Sequence, residues 1–285
     1  MNKKQSPTLT RRTVLGLGAT LATTSLAGCL GGFSVENQVS ERSTASFDPA
    51  TVSTIRVTNA IGDVTVEGAA TDRIGVDVIK ASGDGQVGLD RIVVKNIVED
   101  GVLTVATRIN DSDRTRAIDR ESATISVRVP RAATALTVAS VESAVGDIRI
   151  GNTRGDTIVR GGVGDIDVQN VDGFLSVRSG VGDVRAVDVT GIDSITSEVG
   201  DVTVDLFGIR RGVDISTLAG DISVDVANDL DFDLVAETSS RIDSDLELTR
   251  RSGSSTRLAG RQNRGGHRLT VRSDVGRIAF RTVRR

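Results

Sequence analysis

Three features of this sequence invite a chemical reading: a recurring Gly-Asp pair, a single cysteine and a single histidine. The pair stands at Gly62-Asp63, Gly146-Asp147, Gly164-Asp165, Gly182-Asp183, Gly200-Asp201 and Gly220-Asp221, and the last five copies are spaced 18, 18, 18 and 20 residues apart. Carboxylates at a fixed spacing could line up as cation ligands. "GGVGDIDVQ" (Gly161 to Gln169) superficially matches the nonapeptide calcium repeat, but that repeat places Asp sixth, where Ile166 stands. One carboxylate per repeat also falls short of the roughly six to eight oxygens that calcium takes. A structural role fits better. The glycine supplies the positive φ of a turn, and the aspartate accepts a backbone N–H of its own turn through an Asx-type bond.

The remaining chemistry is sparse. His267 lies in "RGGHRLT" between Arg264 and Arg268, the setting of a surface residue rather than a general base. No Cys/His cluster offers zinc ligands, and no glycine-rich loop opens a helix for phosphate. The chain has no Trp or Tyr on which a carbohydrate-active β-helix would stack sugars. No enzyme, cofactor or metal is therefore expected. The integrin-like "RGD" at Arg154–Asp156 falls inside the repeat register and reads as turn chemistry. Asn110-Asp111-Ser112 is an N-glycosylation sequon in a polar stretch, 110–122, that reads as a loop.

Cys29 is the only cysteine, so no intrachain disulfide forms. It ends a segment with the parts of an export signal. Arg11 and Arg12 precede a weakly apolar run from Val14 to Leu26, too short to span a bilayer and the length of a signal h-region. Paired arginines ahead of such a run resemble a twin-arginine signal. Leu26-Ala27-Gly28-Cys29 resembles a lipobox, which makes Cys29 the expected site of lipid attachment and the membrane the expected partner. Residues 1–28 are then a signal peptide, 29–46 a flexible tether and 47–285 the folded body. Losing Lys3, Lys4, Arg11 and Arg12 takes the formal charge from −3 to −7, which argues against nucleic acid as a partner. The balance of 4 Lys against 31 Arg and 9 Glu against 29 Asp resembles the proteome of a salt-loving archaeon.

The elements that carry these residues are strands. Val, Ile, Thr and Ser dominate, and period-two alternation begins near Phe47, as in "STIRVTNAIGDVTVEG". No long 3.6-residue pattern follows the signal. Between 141 and 226 the apolar positions keep the Gly-Asp register: Ile148, Ile166, Val184, Val202 and Ile222 follow the aspartate, and Val145, Val163, Val181, Val199 and Ala219 precede the glycine. A fixed period with two strands per repeat predicts a parallel β-solenoid of 18–20 residues per coil, with each apolar column stacked inward. An antiparallel β-sandwich is the alternative, and it leaves the fixed register unexplained.

"ISVRVPRAATALTVASVESAVGDIRI", the serial "VGDI/V" repeats and the closing "HRLTVRSDVGRIAF" together resemble the β-strand-repeat family that carries the name adhesin, formally a domain of unknown function. The resemblance runs from about Phe47 to the C-terminus and departs at Arg277, which replaces the aspartate. It implies a solenoid-like fold at the cell surface. The expectation is a lipid-anchored protein on the outer face of the cytoplasmic membrane, structural or adhesive in role, meeting envelope proteins or glycans. A regulatory or ligand-sensing lipoprotein and a divergent polysaccharide-active β-helix are the alternatives.

Overall fold

The computed structural model describes residues 22–24, 38–110 and 120–284. Cys29, Arg11, Arg12, Leu26, Ala27 and Gly28 lie outside the described residues. The described chain is all-β: its strands join in one hydrogen-bonded network of 22, with one short α-helix, Gly85–Arg91, and a 3-10 turn at Pro49–Thr51.

Two continuous rows of strands enclose the core. In the first row the order is Glu121–Pro130, Val64–Ala69, Ile148–Arg154, Ile166 onward, Val184 onward, Val202–Leu206, Ile222–Ala227, Ile278–Val283 and Ile242–Ser244, every neighbour parallel. In the second, Val102–Ile109, Thr54–Ile61, Thr137–Val145, Thr157–Val163, the C-terminal halves of Ile166–Val181 and Val184–Val199, Val213–Ala219, Arg268–Val275 and Phe232–Thr238 follow in parallel. The middle of each row advances one repeat at a time, Ile148 on Ile166 and Ile166 on Val184.

Near both ends the chain departs from sequence order. The pair 54–69 lies between 102–130 and 137–154, and the final pair 268–283 lies between 213–227 and 232–244. Antiparallel strands close each end. Val39–Phe47 pairs with Ile74–Ser82, which pairs with Glu121–Pro130, and Ile92–Glu99 pairs with Val102–Ile109. At the other end Arg257–Gln262 pairs with Phe232–Thr238, and Thr249–Gly253 pairs with Arg257–Gln262. The strand Val39–Phe47 thus starts inside the expected tether, where it has an edge to complete. Ala22–Thr24, within the expected signal, pairs antiparallel with Arg42–Thr44. Glu121 and Ser122, expected in the polar loop, begin a strand, and Asn110 is exposed.

The core follows the repeat. Ile148 and Ile150, Ile166 and Val168, Val184 and Ala186, Val202 and Val204, and Ile222 and Val224 are all buried, facing Val141, Val159, Val177, Ile195 and Ile215. Burying each valine or isoleucine contributes about 1.5–3 kcal/mol before the opposing chain entropy. One column breaks the expectation. Val163, Val181 and Val199 are 51%, 46% and 49% exposed rather than inward. The column two residues earlier closes the core instead, with Ser143, Gly161, Ser179, Ser197 and Thr217. A Cβ on Gly161 would stand 3.1 Å from Ile166 Cδ1, so the isoleucine already fills that corner and the valine beyond it swings out.

The glycines in the turns are held by two constraints at once. Gly182 has φ +133°, and a Cβ there would meet the carbonyl oxygen of Gly164 at 2.2 Å. Gly182→Ala is expected to cost at least about 3 kcal/mol, lowering the melting temperature by roughly 6–12 °C. Gly161→Ala meets only the end of a flexible side chain at an ordinary φ, and should shift the melt by no more than about 3 °C in the same calorimetric comparison.

Candidate functional site

The Gly-Asp turns lie side by side along one edge of the stack. Gly62, Gly146, Gly164, Gly182, Gly200 and Gly220 all take φ between +116° and +152°. The aspartates do not close their own turns. Each carboxylate reaches the next repeat: Asp63 Oδ1 accepts from the Asp147 N–H at 3.0 Å, Asp147 from Asp165 at 3.0 Å, Asp165 from Asp183 at 2.9 Å, Asp183 from Asp201 at 2.9 Å and Asp201 from Asp221 at 2.8 Å. This corrects the expected Asx turn. Parallel stacking in exact repeat register brings the neighbouring N–H within reach of the carboxylate, and the bond is formed between coils.

Arg277 ends the ladder. Its N–H is accepted by Asp221 at 2.7 Å, so the missing carboxylate removes only the bond that would have continued. The next turn uses Thr238 and Ser239 hydroxyls on the carbonyls of Gly276 and Asp274. At the opposite end the buried Asn59 donates to the carbonyls of Gly62 (2.6 Å) and Ala123 (2.7 Å).

Two shallow depressions form a broken groove beside the ladder. Its larger part, about 630 Å³, is walled by Asp201, Asp221, Asp243, Asp245, Arg277 and Arg281 over Thr203, Ser223 and Ala279. A smaller part, about 260 Å³, lies between Asp147, Asp165 and Asp183 on one side and Arg149, Asp167 and Arg185 on the other. Among the described residues no group of three or more His, Cys, Asp or Glu is arranged to hold a metal ion. The arrangement orders polar and charged groups along a line.

The other sequence candidates are apart from this edge. His267 is exposed, and its carbonyl accepts from the Asp233 N–H. Asp156 of the "RGD" accepts from the Phe174 N–H at 3.0 Å and from Arg210 Nη1 at 2.7 Å. Burial opposes its ionisation, but these two donors hold its carboxyl below the usual range. Arg210 lies 4.1 Å from the Phe174 ring centroid and, with Arg211, binds the buried Asp193. The two extra residues of the 20-residue repeat fall in the loop that carries this latch.

A second column with the same period is legible in the sequence as well. Asn152, Asn170 and Asp188 stand 18 residues apart, each with φ near +50° (54°, 53° and 51°), and Asn170 donates to Asn152 Oδ1 at 2.5 Å. Downstream of Asp188, Asp205 accepts its N–H at 3.1 Å, yet burial raises the Asp205 pKa, with the Asp225 and Asp188 charges adding to it.

Stacked carboxylates about 4.8 Å apart repel by about 0.9 kcal/mol in water, a cost largely screened at molar salt, where the Debye length is about 3 Å. Asp183→Asn keeps an acceptor for the Asp201 N–H and removes a charge, so it should raise the melting temperature in 0.1 M KCl and leave it unchanged in 3 M. Asp183→Ala loses the acceptor and should lower it by about 2–5 °C at 3 M, where no relief of repulsion offsets the loss. Asp205→Asn tests the raised pKa. A carboxyl whose folded pKa lies above its unfolded value destabilises the fold once it ionises. The substitution should therefore raise the melt at pH 7, with the gain vanishing as pH falls below the unfolded pKa, where Asp205 is protonated in both states.

A comparison with curated proteins found no match. Among solved structures, a candidate adhesin from Bacteroides fragilis aligns over 84% of this chain and 97% of its own, at 16% identity and a TM-score of 0.45. A candidate cell-adhesion protein from Clostridium sporogenes aligns over 93% and 100%, at 9% identity and 0.35. A candidate lipid-binding protein from Parabacteroides distasonis aligns over 86% and 97%, at 11% identity and 0.31. The Toastrack DUF4097 family model matches residues 33–281, nearly all of the described repeat body, and the chain belongs to the Toastrack DUF4097 family.

Proposed function

We propose that this protein is a non-catalytic, lipid-anchored spacer of the cell envelope, in which a parallel β-solenoid presents its surfaces to structural or adhesive partners. The carrying observation is the unbroken ladder from Asp63 to Arg277. It commits the repeated carboxylates to backbone bonds between coils and makes the stack one rigid unit. The sequence supports the placement. Arg11 and Arg12 direct export, the Leu26-Ala27-Gly28 lipobox presents Cys29 for lipidation, and residues 29 to about 38 link lipid to body. The first ordered strand after that link, Val39–Phe47, lies at the end of the stack built from the chain's early strands. A lipid on Cys29 would thus hold this end toward the membrane. The dense Asp content and the screened ladder suit a saline exterior.

Expressed in an archaeal or bacterial host with twin-arginine export, the wild type should partition with the membrane fraction and remain accessible to added protease on intact cells. Cys29→Ser should appear in the medium or soluble fraction, and Arg11→Lys/Arg12→Lys should stay in the cytoplasm. Membrane association independent of Cys29 would refute the anchor.

A further inference from the structure

The charge of this molecule is partitioned along the stack. Residues 38–227 carry 19 cationic side chains against 29 carboxylates, whereas residues 228–285 carry 12 arginines against 8 carboxylates. The polarity concentrates in the closing antiparallel strands. Residues 249–269 hold six arginines and no Asp or Glu.

Strand pairing assembles these arginines into rows. Arg261, Asp233 and Arg268 lie side by side on three neighbouring strands, and Arg257, Glu237 and Arg272 do so four residues further along the same strands. Each row flanks one carboxylate with two arginines, and in the second row both bind it. Arg261 binds Asp233 at 2.9 Å, and Arg257 and Arg272 share Glu237. Arg264 pairs with Asp231 at 2.6 Å while its side chain stays 89% exposed. Arg250 sits on the outermost strand, Thr249–Gly253, every residue of which is exposed, and adds its field at Asp233. The acids on these strands neutralise part of the cationic surface and hold it in ordered rows.

Edge protection does not account for this density. A charged edge strand resists pairing with another sheet, but the edge strand at the opposite end, Ile92–Glu99, has Lys95 as its one cation and leaves Ile97 and Val98 42% and 37% exposed. We infer that the C-terminal cap, through Arg250, Arg257, Arg261, Arg264, Arg268 and Arg272, is a binding surface for an anionic polysaccharide. The complementarity is that of planar guanidinium forks with carboxylate or sulfate groups repeated along an extended chain. The choice of a glycan over the cell's own lipid headgroups rests on the proposed anchor. Val39–Phe47, joined to the first row through Ile74–Ser82, and Ile242–Ser244 lie at opposite ends of eleven neighbouring strands, roughly 45–50 Å apart at about 4.8 Å per strand, so an N-terminal anchor turns the basic cap away from its own membrane. Long-range attraction is screened at high salt, and contact pairing of this kind is what persists.

Binding of the purified full-length chain to polygalacturonate and to heparin, measured by biolayer interferometry from 0.2 to 1 M KCl with circular dichroism confirming the fold at each salt, tests this. Arg250→Gln/Arg264→Gln/Arg268→Gln should weaken binding to at least one glycan by tenfold or more. The control, Arg56→Gln/Arg160→Gln/Arg178→Gln, removes the same charge from exposed positions on the body and should change binding less than twofold. Equal losses in the two triple variants, or no binding by folded wild type to either glycan, would overturn the proposal. So would a cap-dependent loss seen on phosphatidylglycerol vesicles and on neither glycan. The anchor is read separately, from the fractionation of Cys29→Ser cells, so either idea can fail alone.

Discussion

Register is the constraint on which this structure depends. Each Gly-Asp turn lies directly on the one before it, close enough that a Cβ on Gly146, Gly164 or Gly200 would penetrate the carbonyl of the preceding glycine. The same contact places each aspartate N–H against the previous carboxylate. A slip of one residue would break the ladder, put side chains against carbonyls and turn the whole apolar face outward. Because steric, hydrogen-bonding and hydrophobic terms all select the same alignment, the repeat has one good way to stack.

The less regular features answer to that alignment. The corner column must be small because the isoleucine or valine of the adjoining strand fills it, which explains serine, glycine and threonine in a position that parity alone would give to a large apolar residue. The extra two residues of the 20-residue repeat cannot enter the strands without breaking register. They are expelled into the loop that carries Arg210 and Arg211, where ion pairs to Asp156 and Asp193 and a stack on Phe174 fasten it back to earlier coils. The ends are the other place where register has no partner to impose it. Antiparallel strands take over there, and the final strand pair is inserted one layer inside the end rather than upon it.

How much of this the sequence disclosed follows from what repeats and what does not. The strands, the inward columns after each aspartate and the glycine turns recur every 18 residues, so position alone identifies them. The aspartate's partner is not legible this way, because sequence does not distinguish a carboxylate that folds onto its own turn from one that reaches the next. The second column, at Asn152, Asn170 and Asp188, has the same period and is open to the same reasoning. The interleaving of strands at both ends has no such signal: "STIRVTNAIGDVTV" carries a Gly-Asp turn, yet nothing local says that its neighbours in space are residues 102–130 and 137–154. Long-range pairing is decided by which edge remains open when the chain arrives.

Electrostatics divides the molecule along the same axis that register builds. In the body, like charges are stacked because each carboxylate does backbone work, and their repulsion is the cost of that work. Arg277 is the point where the logic changes: its side chain offers no acceptor to continue the ladder, and beyond it Asp231, Asp233 and Glu237 are paired with arginines. A uniform distribution of the same residues would have left both ends of the stack alike. Placing the cations where the ladder stops gives two chemically distinct ends to a structure whose middle is nearly translationally symmetric, and a symmetric stack needs such a difference before it can be oriented between two surfaces.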